Sequence, residues 1–144
     1  MKAVITVTGI QNLENTGDDS IELVTDGVYM RIADGYAVKY LESELTGLAG
    51  TTTTVEVTSS GVVVERRGTL NMRMEFKEGC RTGFLYDTLY GAATLGFETR
   101  RIVSELGDRG GSLSIDYVVN MEHAVVGINK LCMSVKPKET RQNI

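Results

Sequence analysis

Leu70-Asn71-Met72-Arg73-Met74-Glu75-Phe76 is the stretch that decides the fold. Leu70, Met72, Met74 and Phe76 fall on one side of an extended chain, and Asn71, Arg73 and Glu75 fall on the other. That period of two predicts a strand with one apolar and one solvated face, as antiparallel sheets have. The rhythm spreads outward in both directions. Leu113, Ile115, Tyr117 and Val119 alternate with Ser114, Asp116 and Val118, and Tyr36, Val38 and Tyr40 alternate with Ala37, Lys39 and Leu41. Phe84, Tyr86, Thr88 and Tyr90 share a parity, as do Ala93, Leu95, Phe97 and Thr99. The β-branched run Thr51-Thr52-Thr53-Thr54-Val55-Glu56-Val57 also favours strand over helix.

Turn signals separate these runs at short intervals: Asn15 to Asp19, Asp34-Gly35, Thr46 to Gly50, Ser59-Ser60-Gly61, Arg67-Gly68, Lys77-Glu78-Gly79, Tyr90-Gly91, Gly107 to Gly111 and Asn120 to His123. Connections this short exclude parallel crossovers, which need a dozen or more residues. The expected fold is therefore all-β: one antiparallel up-and-down β-barrel of eight to ten strands, closed because a flat sheet leaves two long open edges. The barrel is expected over residues 1–136, with 137–144 a polar, frayed tail. Asp26-Gly27 reads as a bulge within a strand from Ser20 to Ile32. Glu98 to Leu106 could also form two helical turns, with Ile102, Val103 and Leu106 clustered, against the surrounding strand rhythm.

Composition fits one globular domain: 144 residues, 42% hydrophobic and 24% charged, with one Pro and no Trp. A net charge of −4 disfavours a dedicated nucleic-acid binder. No apolar run is long enough for a membrane helix, and the amino terminus lacks the block of a secretory signal. A cytoplasmic protein with reduced Cys80 and Cys132 is the expectation. The charge is uneven along the chain: residues 1–60 carry net −6 and residues 61–144 net +2.

Catalytic and metal motifs do not emerge. His123, the one histidine, lies in a polar turn, and Cys80, Cys132 and His123 lack zinc-ligand spacing. Gly107-Asp108-Arg109-Gly110-Gly111-Ser112 leads into a strand, whereas a phosphate cradle leads into a helix. Asp18-Asp19 reads as a solvated acidic turn. The expectation is no enzyme, no cofactor and no metal.

If the apolar parity of each strand points inward, five of the six tyrosines line the interior: Tyr36, Tyr40, Tyr86, Tyr90 and Tyr117. The same parity continues past Tyr40 to Glu42, and past Val62 and Val64 to Arg66. An unpaired charge inside a barrel is costly, so pairing, water or a ligand must offset it. Three readings stand open. Glu42 and Arg66 pair, with tyrosine hydroxyls and Thr53 or Thr99 completing the hydrogen bonds. Alternatively, Arg66 receives an acidic ligand between amphipathic tyrosine walls. In the third, a register error leaves both charges in water.

The ordered set Gly27-Val28-Tyr29, Tyr40-Leu41-Glu42, Arg66-Arg67-Gly68, Phe76-Lys77-Glu78-Gly79, Tyr86 through Tyr90-Gly91, Thr99 and Ser114-Ile115-Asp116-Tyr117 resembles the YwiB-like family of small bacterial proteins. The resemblance implies a calycin-like, lipocalin-like barrel in the bacterial cytoplasm, and brings no established activity or catalytic residue. Glu42, Arg66, Tyr86, Thr99 and Tyr117 fall on positions of that pattern; with Tyr36 and Tyr40 they form the candidate interior network. The expected function is a non-enzymatic barrel that binds a small anionic or amphipathic ligand inside. The alternative is a filled module acting through protein partners or its own copies.

Overall fold

The structure, a computed structural model, describes residues 1–13, 17–43, 49–69, 71–88, 91–121 and 124–138; residues 11–13, 17–19, 84–88, 91–94 and 124–126 are described by their backbone alone. Ten strands follow one another: β1 (Lys2–Leu13), β2 (Gly17–Ile32), β3 (Gly35–Leu41), β4 (Thr51–Thr58), β5 (Gly61–Gly68), β6 (Met72–Phe76), β7 (Arg81–Thr88), β8 (Gly91–Gly107), β9 (Gly110–Met121) and β10 (Ala124–Pro137). Each pairs antiparallel with its neighbour in sequence, except β6 with β7. The first and last strands pair as well, from Ala3↔Pro137 to Asn12↔Ile128, which curls the meander onto itself. The sheet order β6-β5-β4-β3-β2-β1-β10-β9-β8-β7 leaves its two ends facing each other. They touch without a ladder, and Thr82 Oγ1 donates to the Glu75 carbonyl across the seam at 2.5 Å. The result is a nearly closed ten-stranded barrel.

Period-two alternation fills its interior. Ile5, Val38, Val62, Phe76, Leu113 and Ile115 are at most 2% exposed, while Lys39, Leu41 and Arg73 on the opposite parity face water. Met74 is half-buried beside Phe76 as the deciding stretch predicts; Leu70 lies outside the described residues. The side chains of Phe84 and Thr88, all of Tyr90, and the turn residues 14–16, 44–48 and 122–123, His123 among them, also lie outside what is described.

Three local expectations are corrected. Asp26-Gly27 is no bulge, because β2 runs unbroken with Val4↔Asp26 and Ala3↔Gly27 in register. Gly27 answers a close approach instead: a Cβ there would lie 2.7 Å from the Lys39 carbonyl oxygen and 2.9 Å from Ile5 Cγ1. Asp18 and Asp19 belong to β2 rather than to a turn. The tail boundary also moves, since Pro137 pairs with Ala3 and Lys138 N donates to the Lys2 carbonyl at 3.0 Å; residues 139–144 lie outside the described chain.

Residues 98–106 are strand. The register steps from Thr99↔Tyr117 to Arg101↔Asp116, so Arg100 is an extra residue in β8 and the inward parity changes from odd to even. That slip brings Ile102 and Leu106 inward and explains why their spacing imitates a helix.

Gly27→Ala is expected to lower the urea midpoint, with a cost of about 1–3 kcal/mol from overpacking against a backbone oxygen that cannot retreat. A midpoint unchanged from wild type in equilibrium denaturation contradicts this account of Gly27.

Candidate functional site

The antiparallel meander gathers the β2–β3, β4–β5, β6–β7 and β8–β9 connections at one end of the barrel and the other five at the opposite end. Near the five-connection end, inward positions across four adjacent strands read Tyr40↔Thr53↔Arg66↔Met72. Glu42 follows one inward step beyond Tyr40, and its backbone N–H donates to the Thr51 carbonyl at 2.8 Å. A strand ending therefore delivers a carboxylate into the interior.

Glu42 and Arg66 do meet. The Glu42 side chain is 3% exposed and that of Arg66 23%, with Arg66 Nε 3.9 Å from Glu42 Oε1. This spacing is an ion pair and too long for a hydrogen bond. Thr53 Oγ1 donates to Glu42 Oε1 at 2.6 Å, and the Tyr40 hydroxyl hydrogen-bonds the same carboxylate. Burial raises the Tyr40 phenol most, the Glu42 charge raises it further, and Arg66 offsets part of the shift. Arg66 Nη1 approaches Met72 Sδ at 3.9 Å, a soft and weak acceptor.

Tyr117 forms the aromatic wall. Its ring packs on Phe76 at 5.0 Å and edge-on to Phe97 at 5.5 Å. Burial pushes its phenol upward, while a hydrogen bond from Asn129 and the Arg66 charge pull the other way. Thr99 is its ladder neighbour and is fully buried. Two buried polar atoms here, Arg66 Nε and Thr99 Oγ1, have no hydrogen-bond partner among the described residues.

The sequence-derived network thus divides. Tyr40, Glu42 and Arg66 are in contact, Tyr117 and Thr99 stand together close by, and Thr53 rather than Thr99 completes the carboxylate's hydrogen bonds. The side chain of Tyr86 lies outside the described residues; its backbone pairs with Ala93. Tyr36 belongs to the opposite end: its ring stacks on Tyr29 at 5.3 Å and its hydroxyl donates to Asp108 Oδ1 at 2.8 Å. It has the right parity but sits four residues, two inward steps, before Tyr40. Tyr29, which tyrosine parity alone did not pick out, is 2% exposed and donates to the Gly107 carbonyl at 2.7 Å. Its parity with the buried Leu23 on β2 is the signal that would have found it.

Elsewhere the outer wall carries grooves of a different kind. One of about 450 Å³ is lined by Lys39, Glu56, Glu65 and Arg67, whose Glu65 already pairs with Arg67 and Arg73. Among the described residues no group of three or more His, Cys, Asp or Glu is placed to hold a metal ion.

This molecule is a nearly closed antiparallel β-barrel protein with an internal ion pair set beside an aromatic wall. It belongs to the family described as "Domain of unknown function (DUF1934)", whose model matches residues 5–133. Its fold is similar to the crystal structure of the ywiB protein from Bacillus subtilis, with a TM-score of 0.83 and 22% sequence identity over 96% of this chain and 92% of that one. The resemblance carried by the ordered residues from Gly27 to Tyr117 is borne out, and at this identity the structural likeness speaks for the fold alone. No curated protein shows significant similarity to the chain.

Arg66→Ala is expected to cost about 3 kcal/mol, because it leaves the Glu42 carboxylate buried without its cation. A double-mutant cycle with Glu42→Ala measures the coupling, and a value within experimental error of zero removes the pair. The tyrosines set an alkaline limit. Tyr29 is pushed up to about 12 from 10.0, mainly by burial and then by Tyr36 and Asp108, and Tyr40 and Tyr117 are also raised. Above about pH 10 the unfolded chain loses phenolic protons that the folded one keeps, so stability is full below that pH and falls as pH rises toward the folded values. Denaturation at about pH 11 should show a lower midpoint than at about pH 9, and Tyr29→Phe should shrink the difference.

Proposed function

We propose that this protein is a non-catalytic binding barrel that takes a small amphipathic molecule at the polar end of its interior. The observation that carries this reading is the pair of unsatisfied buried polar atoms, Arg66 Nε and Thr99 Oγ1, both near Tyr117: Thr99 is its ladder neighbour and the Arg66 charge acts on its phenol. A buried donor without a partner costs about 1–3 kcal/mol, so such groups call for an explanation in a folded protein. A ligand that fills this hydrogen-bonding capacity while resting on an aromatic wall supplies one. Glu42 is held by Thr53, Tyr40 and Arg66, an arrangement that suits a fixed counter-ion better than an acid or base that must exchange protons with a substrate. The reading includes a reducing, cytoplasmic setting, which the free thiols of Cys80 and Cys132 support.

A second reading, an interaction module, draws on the outer wall. Val24, Val28 and Met30 of β2 and Leu41 of β3 point outward and are 59%, 42%, 41% and 65% exposed. These outward positions lie on two adjacent strands, an exposed apolar group of the kind that marks interaction surfaces.

Thermal shift with benzyl alcohol, benzamide, benzoate and decanoate tests the first reading. At least one of these is expected to stabilise the wild type in a concentration-dependent way, and Thr99→Val to weaken the effect. No stabilisation by any of the four overturns it. Light scattering over a concentration series tests the second: self-association is expected to disappear in Val28→Lys/Leu41→Lys, and a monomer at all concentrations counts against homo-oligomerisation.

A further inference from the structure

We infer that the interior site prefers an uncharged carboxamide or carbonyl group on a small planar body over an anion of the same shape. This rests on the binding reading above and names the ligand class of that same site. An arginine turned into an apolar interior is ordinarily an anion receptor, since its planar fork matches a carboxylate. Here the guanidinium already has its anion. Glu42 lies 3.9 Å from Arg66 Nε and is the more deeply buried partner, 3% against 23% exposed. Thr53 and Tyr40 hold the carboxylate in place, so it cannot swing aside for a second negative group.

Among the described residues, the remaining side chains around the site carry no charge. They are Tyr40 near β3's end, Thr51 and Thr53 on β4, Met72 and Phe76 on β6, Phe97 and Thr99 on β8, Tyr117 on β9 and Asn129 on β10. The formal charge of these described side chains together with Glu42 and Arg66 is therefore zero before a ligand arrives. An entering anion meets Glu42's repulsion together with Arg66's attraction, and gives up its hydration in surroundings of low dielectric. A neutral acceptor meets the unpartnered Nε–H of Arg66 without bringing a second negative charge beside Glu42. Thr99 Oγ1 can accept as well as donate and Arg66 Nε can only donate, so an amide, with its carbonyl and its N–H, carries a complement for either orphan group. The Phe76, Phe97 and Tyr117 rings suit a planar body.

Benzamide and benzoate, nearly identical in shape, separate charge from fit. Calorimetry and amide NMR are to be run on the wild type, Glu42→Gln and Thr99→Val. Wild type is expected to bind benzamide about tenfold or more tighter than benzoate, with shifts around Arg66, Thr99 and Tyr117. Glu42→Gln frees the Arg66 charge and is expected to reverse the order. Thr99→Val is expected to weaken benzamide more than benzoate, which keeps the test alive should Glu42→Gln fail to fold. Wild type binding benzoate as tightly as benzamide or tighter overturns the charge preference while leaving the binding barrel standing. Binding of neither probe to the wild type overturns this ligand class, and the four-probe thermal shift then decides separately whether the site binds anything.

Discussion

Pairing of β1 with β10 is the constraint on which the rest of the structure depends. The ladder runs from Ala3↔Pro137 to Asn12↔Ile128 and joins the two ends of the chain into one sheet wall. Without it the meander is two separate sheets, each with an extra open edge and an apolar face turned to water. With it, Ile5, Met133 and Val135 come into the same enclosed core as Val38 and Val62, which lie far away in sequence. Closure stops at the short β6 and at β7, where a side-chain hydroxyl and the intervening turn stand in for a ladder.

Closure also explains why the two ends of the interior differ. At one end Tyr36 meets Asp108 and Ser59 meets Asp34 in exposed pairs at the rim, while the buried Tyr29 donates to the Gly107 carbonyl. At the other, Glu42 and Arg66 are carried inward by strands whose alternation continues past their last apolar residue. A carboxylate in that position is tolerable because three groups converge on it, two of them hydroxyls from the same row of inward positions. The guanidinium is less well provided for, and the imbalance between the two partners gives this end of the barrel its chemical character.

Much of this was legible along the chain. The alternation in 70–76 and 113–119, and the short turns, pointed to an antiparallel barrel, since closure buries the half-apolar strands of a meander without leaving two long open edges. The Glu42–Arg66 meeting was legible for the same reason, as inward parity on β3 and β5 points both side chains at one space. Features that depend on registry between strands were not legible. Arg100 slips the rhythm of β8 by one residue, which gave 98–106 a helix-like spacing against the surrounding strand rhythm. Gly27 resembled a bulge, although its role is to let Lys39 and Ile5 come close.

Tyr36 and Tyr40 mark the limit most clearly. Both have inward parity on one strand, yet one hydroxyl reaches a solvent-exposed aspartate and the other a buried carboxylate. Parity assigns a face and says nothing of depth along the barrel axis. By itself, the sequence determined the strand class, the facing of its side chains and the family resemblance, because these depend on local alternation and on the order of residues. Only the tertiary structure decided which inward groups share an end, that Thr53 rather than Thr99 satisfies Glu42, and that Arg66 and Thr99 keep buried atoms unpaired. Those outcomes come from the stagger of ten strands around a closed wall, and a one-residue shift in any ladder would change them.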